Sequence, residues 1–204
     1  MAEVAAVPAA SVLVLRDGPL EVLMMRRRAD ASFVPDAWVF PGGAVDEEDR
    51  VPGDELATMR IAAARELFEE TGVWLGAPLS DAQRKKSFAE LLRESPIEFE
   101  RLVWTSHWIT PFGVPKRFDT WFFLTRVERE VIATAAQDEA VDVAWLTPED
   151  ALARKNELRL VFPTIKNLEG IVGFRTANEL IDSRRGAEIK PIQPLIADGR
   201  IRMP

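Results

Sequence analysis

Cysteine is absent from this 204-residue sequence, and histidine occurs only once, at His107. Without cysteine the chain can form no disulfide, thiolate nucleophile or cysteine-ligated zinc site, and a single histidine disfavours any other zinc site. No apolar run reaches the roughly eighteen residues of a membrane span, and residues 1–10 lack the basic flank and long apolar core of a signal peptide. We therefore expect a soluble, cytoplasmic protein that does not bind membranes.

Basic residues are also in deficit, since 26 Lys and Arg oppose 33 Asp and Glu and give a formal net charge of −7. Nucleic-acid polymers favour basic surfaces, so this charge argues against a polymer partner. A few arginines or a bound cation can still hold one phosphate-bearing small molecule. The length and the 47% hydrophobic content predict a single domain over residues 1–204, with a helical insertion around 80–95 and an extended tail around 186–204.

Three glutamates share one face of a predicted helix within the sequence Arg-Glu-Leu-Phe-Glu-Glu-Thr-Gly-Val at residues 65–73. At about 100° per residue, Glu66 lies about 40° from Glu70 and about 60° from Glu69. On most helices an acidic face of this kind is simply exposed to solvent and has no binding role. Without interleaved lysines, however, these carboxylates repel one another, and a divalent cation would neutralise them. We interpret the face as a site for Mg²⁺ or Mn²⁺, which prefer hard oxygen ligands.

Alternating apolar runs and cap residues predict a chain of mixed strands and helices. The acidic helix is expected from Asp54 to Thr71, ended by Gly72, and the Pro41–Gly43 segment before it is expected to be a tight loop that approaches a ligand. Further helices are predicted over Ser80–Ser95 with Ser80 or Asp81 as cap, from a Thr147 cap onward, and over Phe162–Asp182. Strands are predicted at Ala10–Arg16, Leu20–Arg26, Ala37–Phe40, Leu102–Thr110, Phe118–Val127 and Ala140–Leu146.

Two basic segments are candidates for contact with phosphate. Arg26 and Arg27 end the second predicted strand, where guanidinium forks suit phosphate oxygens, although a solvated strand edge explains them equally well. Phe112 and Arg117 lie in a loop between two later strands, whose aromatic and basic residues suit a nucleotide-like ligand. Both pairs are therefore candidate substrate-binding residues.

With these residues, the chain resembles the Nudix hydrolases, whose signature ends in Arg-Glu-aliphatic-any-Glu-Glu-any-Gly-aliphatic. Residues 65–73 match every required position of that half. The first half departs, because an aspartate, Asp49, follows Gly43 at the position of a glutamate, and fifteen residues instead of seven separate it from Arg65. The resemblance implies an α/β fold, a Nudix-type α/β/α sandwich with a mixed sheet between helices. It also implies that Asp49 or Glu48 pairs with Arg65.

The resemblance further implies metal-dependent hydrolysis of a nucleoside diphosphate linked to another group. The signature segment is called the Nudix box, and its three glutamates, Glu66, Glu69 and Glu70, would be the metal ligands together with Gly43. The catalytic residues would include Arg65 and a general base, which is Glu139 or one of the box glutamates. The enlarged box resembles the branch that contains coenzyme A diphosphatases, which favours coenzyme A or acyl-coenzyme A as substrate. ADP-ribose or a nucleotide sugar is the second candidate substrate, and an oxidised nucleoside triphosphate is the third. A non-catalytic nucleotide-binding regulatory module is the alternative of another class, and the family analogy allows a homodimer.

Overall fold

The computed structural model describes residues 4–31, 33–136, 140–198 and 200–203, with Arg200 described by its backbone. The helices are α1 (Glu55–Thr71), α2 (Phe88–Glu94), α3 (Pro148–Ala153), α4 (Phe162–Glu169) and α5 (Ala177–Arg184). The strands are β1 (Val7–Arg16), β2 (Glu21–Arg27), β3 (Trp38–Val39), β4 (Gly42–Ala44), β5 (Val103–Ile109), β6 (Phe118–Arg126), β7 (Ala140–Leu146), β8 (Pro191–Ile192), β9 (Leu195–Ala197) and β10 (Arg200–Arg202).

One mixed sheet organises the structure. Its hydrogen-bonded order is β3-β2-β1-β6-β5-β8, while β4 also pairs with β1 and β7 with β2. Strand β1 runs parallel to β6 and antiparallel to both β2 and β4. The first two predicted strands are therefore confirmed and form an antiparallel hairpin, and β1 also pairs with β4.

Helices cover both faces of this sheet, as the predicted sandwich requires. Along β1, Val12 and Val14 pack in the hydrophobic cluster that contains α1 residues, whereas Leu13 and Leu15 pack with residues of α3, α4 and α5. Successive side chains of a strand point to opposite faces, so a strand buried on both faces is apolar throughout. This explains why residues 12–15 of β1 are all apolar.

Helix α1 confirms its prediction to within one residue at its start. The Asp54 side chain accepts a hydrogen bond from the Ala57 amide and caps the helix. Gly72 ends it in the left-handed conformation, with φ of 67°. Leu67 and Phe68 are buried against the sheet, which fixes the rotation of the helix and therefore the direction of its glutamates.

Three predictions about secondary structure are wrong in detail. Residues 80–95 hold a short 3₁₀ turn followed by α2, which is capped by Ser87 because Ser87 and Glu90 form a reciprocal capping box. The helix predicted over Phe162–Asp182 is interrupted between α4 and α5, where Gly173 adopts a φ of 89°. The Pro41–Gly43 segment is not an open loop, because Gly42 and Gly43 belong to β4.

The tail contributes strand β8 to the main sheet beside β5. Strands β9 and β10 form a separate two-stranded sheet. None of the helices in the described parts of the chain combines the length and apolar composition needed to cross a bilayer. The assignment of all 204 residues to one domain stays a prediction.

Candidate active site

The glycine pair of β4 lies directly against the acidic face of α1. The Gly42 amide donates a hydrogen bond of 2.7 Å to Oε2 of Glu70, whose side chain is 2% exposed. A Cβ atom added at Gly43 would lie 2.6 Å from the carboxylate oxygens of Glu66. Only glycine therefore lets this backbone approach the two carboxylates so closely.

Pairing with β1 holds the glycine pair in place. A Cβ atom at Gly42 would lie 2.3 Å from the Ala10 carbonyl oxygen, so this glycine is required by strand packing. The Ser11 hydroxyl donates to the Pro41 carbonyl at 2.9 Å and fixes the start of the segment. The two neighbouring glycines thus have different roles, Gly42 against the sheet and Gly43 against Glu66.

Arg65 connects the acidic helix to the loop that precedes it. Its Nε and Nη2 atoms donate to the carboxylate of Asp49 at 2.9 and 2.8 Å, and Nη2 also donates to the Ala44 carbonyl at 3.0 Å. Its Nη1 atom donates to Glu66 and to Glu69, at 3.0 Å each. The predicted pairing of Asp49 with Arg65 is confirmed, and the guanidinium holds two of the three glutamates in position.

The electrostatic balance keeps Arg65 charged. Burial by itself lowers the pKa of Arg65, but the hydrogen bond to Asp49, the charges of Glu66 and Asp49 and the hydrogen bond to Glu69 together raise it above its ordinary value. Asp49 is 1% exposed and also accepts a hydrogen bond from the Asp46 amide at 2.8 Å. A buried, bidentate pair of this kind makes the junction between loop and helix rigid.

The extra residues of the enlarged box lie between that junction and the middle of α1. After Asp49 the chain forms a turn, in which the Val51 amide donates to the Thr58 hydroxyl at 2.9 Å, and then enters α1 at the Asp54 cap. The insertion thus adds a turn and the first part of the helix. Asp49 nevertheless remains beside Arg65, with 2.8 Å between Asp49 Oδ2 and Arg65 Nη2.

A cavity of about 490 Å³, here called the polar cavity, opens beside these groups. Glu66 and Glu70 line it together with the two glycines, and Arg27 and Arg28 also contribute to its wall. Asp30 completes the charged lining, where hydrogen bonds from Arg28 lower its pKa. The full lining is Arg27, Arg28, Asp30, Ala31, Gly42, Gly43, Glu66 and Glu70. Carboxylates and guanidinium groups in one cavity suit a cation together with an anionic ligand.

The donor chemistry of the polar cavity fits a hard divalent cation. Carboxylate oxygens and a main-chain carbonyl are the ligands that Mg²⁺ and Mn²⁺ prefer. Among the residues that the structure describes, however, no three Asp, Glu, His or Cys side chains are gathered closely enough to hold an ion. Arg65 lies between Glu66 and Glu69 and donates to both, and the Glu69 side chain is 46% exposed and outside the cavity lining. A cation would therefore share these carboxylates with Arg65.

The predicted substrate-binding arginines have different surroundings. Arg27 lines the polar cavity, and its Nε atom donates to the Phe33 carbonyl at 3.2 Å. Arg26 is absent from that lining and donates to Asp36 at 2.7 Å. The two neighbours lie at the end of β2, where the pairing with β7 is irregular, and only Arg27 lines the polar cavity.

Arg117 and Phe112 contact each other in the loop before β6. The Arg117 guanidinium lies 4.0 Å from the centre of the Phe112 ring and donates to the carbonyls of Thr110 and Val4 at 3.0 and 2.7 Å. The Arg117 side chain is buried and lines neither of the two cavities described here. Substrate contact by Phe112 and Arg117 stays a prediction, as does the role of Glu139, which lies outside the described residues.

A second cavity of about 490 Å³, here called the apolar cavity, adjoins the first and shares Arg27, Gly42 and Gly43 with it. Aromatic side chains dominate its wall, namely Phe33, Phe40, Trp108, Phe118, Phe122 and Phe162. The Phe33 and Phe118 rings meet edge to face, 5.0 Å apart. The sequence analysis did not predict this cavity, because buried aromatic residues on alternating strand positions give the same pattern whether they fill a core or line a pocket.

Comparison with known proteins agrees with this geometry. The model of the NUDIX domain family matches residues 6–165. A Caenorhabditis elegans protein described as nudix hydrolase 7 is 35% identical over 160 residues, which cover 71% of this chain and 52% of that protein. Acyl-coenzyme A diphosphatase NUDT19 of Homo sapiens is 25% identical over 262 residues, covering 89% of this chain and 70% of that protein.

Among solved structures, the NUDIX hydrolase from Alicyclobacillus acidocaldarius aligns with a TM-score of 0.78 at 26% identity, covering 89% of this chain and 97% of that one. The chain spans about half the length of the nudix hydrolase 7 that it matches. Nudix hydrolases generally use divalent metal ions, which agrees with the donor chemistry of the polar cavity. The match over most of the sequence, together with the shared fold, places this chain in the Nudix hydrolase family.

Proposed function

We propose that this protein hydrolyses a diphosphate bond in a nucleoside diphosphate linked to another group, with Mg²⁺ or Mn²⁺, and that coenzyme A or acyl-coenzyme A is the favoured substrate. The main support for the proposal is that Glu66, Glu70, Arg27 and Arg28 all line the polar cavity. A diphosphate needs both kinds of group, because a cation and guanidinium groups together offset its charge.

In the polar cavity, Glu66, Glu70 and the Gly43 carbonyl would hold the cation, and Glu69 would join them from outside the lining. Arg65 positions Glu66 and Glu69 through hydrogen bonds of 3.0 Å. The bound cation would neutralise the diphosphate and lower the pKa of the attacking water.

The positively charged side chains of Arg27 and Arg28 would bind phosphate oxygens and orient the scissile bond. A carboxylate would then accept the proton of the attacking water, with Glu139 or one box glutamate in that role.

The apolar cavity supports the choice of substrate. Coenzyme A joins its diphosphate to a long, uncharged arm, and acyl-coenzyme A continues that arm with a hydrocarbon chain. The two cavities meet at Arg27 and the glycine pair, so one such molecule can occupy both. ADP-ribose and nucleotide sugars are polar on both sides of the diphosphate and gain less from an aromatic wall. Similarity to acyl-coenzyme A diphosphatases of Homo sapiens and Xenopus laevis favours the same choice.

A substrate panel tests the proposal. Coenzyme A, acyl-coenzyme A, ADP-ribose, a nucleotide sugar and an oxidised nucleoside triphosphate would each be incubated with Mg²⁺ or Mn²⁺, and both phosphate-bearing products quantified. We expect coenzyme A compounds to give the highest kcat/KM. Tight binding across the panel without turnover would instead indicate a regulatory nucleotide-binding module.

Variants of α1 connect that activity to the site. We expect Glu69→Gln and Glu70→Gln each to lower kcat by about a hundredfold or more. Glu55→Gln is the matched control, because Glu55 lies exposed in the first turn of the same helix, away from the cavity. Unchanged turnover in both Glu69→Gln and Glu70→Gln would contradict the metal assignment.

Solution mass measurement would decide whether the protein is the homodimer that family analogy allows.

A further inference from the structure

We propose that Ile201 and Pro194, in the segment that follows α5, determine how large an apolar group the substrate carries beyond its diphosphate. This inference rests on the proposed function and adds a specificity role for residues outside the Nudix box. Both residues line the apolar cavity. Both also lie after residue 165, where the match to the family model ends.

Strand β8 brings this segment to the cavity. It pairs in parallel with β5, so that Pro191 lies opposite His107 and Ile192 lies opposite Trp108. Ile192 packs against the same hydrophobic cluster that contains Trp108 and Phe162. The segment is thereby anchored beside two aromatic residues of the cavity wall, and Pro194 follows β8 by two residues in a buried position.

Strand β10 then returns antiparallel to β9, with Ile201 opposite Ile196. Ile201 is 44% exposed although it lines the cavity, which places it at the open part of the wall. Leu195 and Ile196 are exposed to a similar degree but belong to neither cavity lining. The hairpin therefore contributes one selected side chain to the cavity and leaves comparable apolar side chains outside it.

The chemistry of the wall identifies the group that it would take. Arg27 and Lys116 are the charged residues in the lining of the apolar cavity, and Arg27 also belongs to the polar cavity. The remaining wall is mostly aromatic and aliphatic, so it favours a hydrocarbon chain over a sugar or a charged group. Each methylene buried there would raise kcat/KM by about fourfold, until the chain reaches the end of the cavity. Ile201 lies where such a limit can be set.

The experiment compares free coenzyme A with a series of straight-chain acyl-coenzyme A compounds from acetyl to palmitoyl. We expect Ile201→Trp to fill the opening and to lower kcat/KM for the longest productive chains by about tenfold, several times more than it lowers kcat/KM for free coenzyme A. Ile201→Ala should shift the optimum to longer chains, and Ile201→Leu should restore the wild-type profile. Leu195→Ala, in the same hairpin but outside the cavity, should leave the profile unchanged. Thermal melting of each variant would show that the fold is retained.

The outcomes separate this inference from the proposed function. Hydrolysis of coenzyme A compounds with the same chain-length profile in wild type, Ile201→Trp and Ile201→Ala would overturn the inference and leave the function standing. Hydrolysis of ADP-ribose or nucleotide sugars without any coenzyme A compound would overturn both. A profile that shifts with the size of residue 201 and not with residue 195 would support both.

Discussion

The polar and apolar cavities have the same volume of about 490 Å³ and share Arg27, Gly42 and Gly43, yet their walls are chemically opposite. The polar cavity is built from residues 27–70, namely the end of β2 and the residues after it, the β4 glycines and α1. The apolar cavity collects side chains from Ala9 to Ile201. Under the proposed function, the compact, charged cavity would perform hydrolysis, and the dispersed, mostly apolar cavity would select what is attached to the diphosphate.

The largest expected effect comes from the shared wall itself, at Gly43. In Gly43→Ala the new methyl group would lie 2.6 Å from the Glu66 carboxylate, so Glu66 must move away and kcat should fall by about a hundredfold. Stability should change little, because the displaced group is the end of a flexible side chain. Steady-state kinetics and thermal melting measure the two effects.

Gly42→Ala is the informative contrast, since its methyl group would meet the Ala10 carbonyl at 2.3 Å in the main chain of β1. That variant should lose thermal stability. Equal kinetic and thermal effects in the two variants would contradict the separate roles of the glycines.

A smaller effect is expected from Asp49, which supports only the polar cavity. Asp49→Asn removes one charge of a buried pair, but Arg65 keeps its bonds to Glu66 and Glu69. We expect a loss of about 2 kcal/mol in the free energy of unfolding, below the roughly 3–5 kcal/mol of a fully broken buried pair, and a Tm lower by roughly 4–8 °C.

Asp46→Asn provides the control for that variant, because Asp46 lies 3.4 Å from the same guanidinium with a side chain that is 60% exposed. Its loss should be within about 1 kcal/mol. If chemical denaturation gave the same change for both variants, the buried Asp49 pair would not be what stabilises the junction between loop and helix.

Arg27 tests whether the two cavities act on one ligand. Arg27→Ala should raise KM about tenfold for free coenzyme A and acyl-coenzyme A alike, since it removes a guanidinium that would contact phosphate. Arg26→Ala, one residue away and directed at Asp36, should change KM by less than about twofold. A larger effect at Arg26 would reverse the assignment of the phosphate contact.

The smallest effect is expected in the apolar cavity. Phe118→Leu removes the edge-to-face contact with Phe33 and part of the wall, so kcat/KM for long acyl chains should fall about fivefold, with a smaller fall for free coenzyme A. Phe99→Leu serves as the control, because Phe99 packs against the α1 cluster on the other face of the sheet. A uniform fall for all chain lengths would show that the cavity does not select substrates.

Features that depend on residues close in the chain were predicted from the sequence, whereas the apolar cavity was not. The α1 boundaries, the Gly72 terminus and the Thr147 cap with Pro148 behind it were predictable, because periodicity and capping act within a few residues. The cap expected at Ser80 or Asp81 was wrong, since Ser80 bonds locally to Gln83 in a 3₁₀ turn and Ser87 has the better capping partner. The apolar cavity gave no signal, since its aromatic residues have the alternating pattern of an ordinary core.

By itself the sequence determined the acidic helix, the glycine pair, the mixed strand and helix order and the resemblance to the Nudix hydrolases, because each depends on residues close together in the chain. Only the tertiary structure decided that Asp49 still reaches Arg65 across the enlarged box, that Gly43 faces Glu66, and that Ile201 joins Phe33 and Phe118 around one cavity. These contacts depend on the packing of β1 between β4 and β6 and of β8 beside β5. Long-range pairing of this kind is set by the whole sheet and leaves little trace in any local pattern.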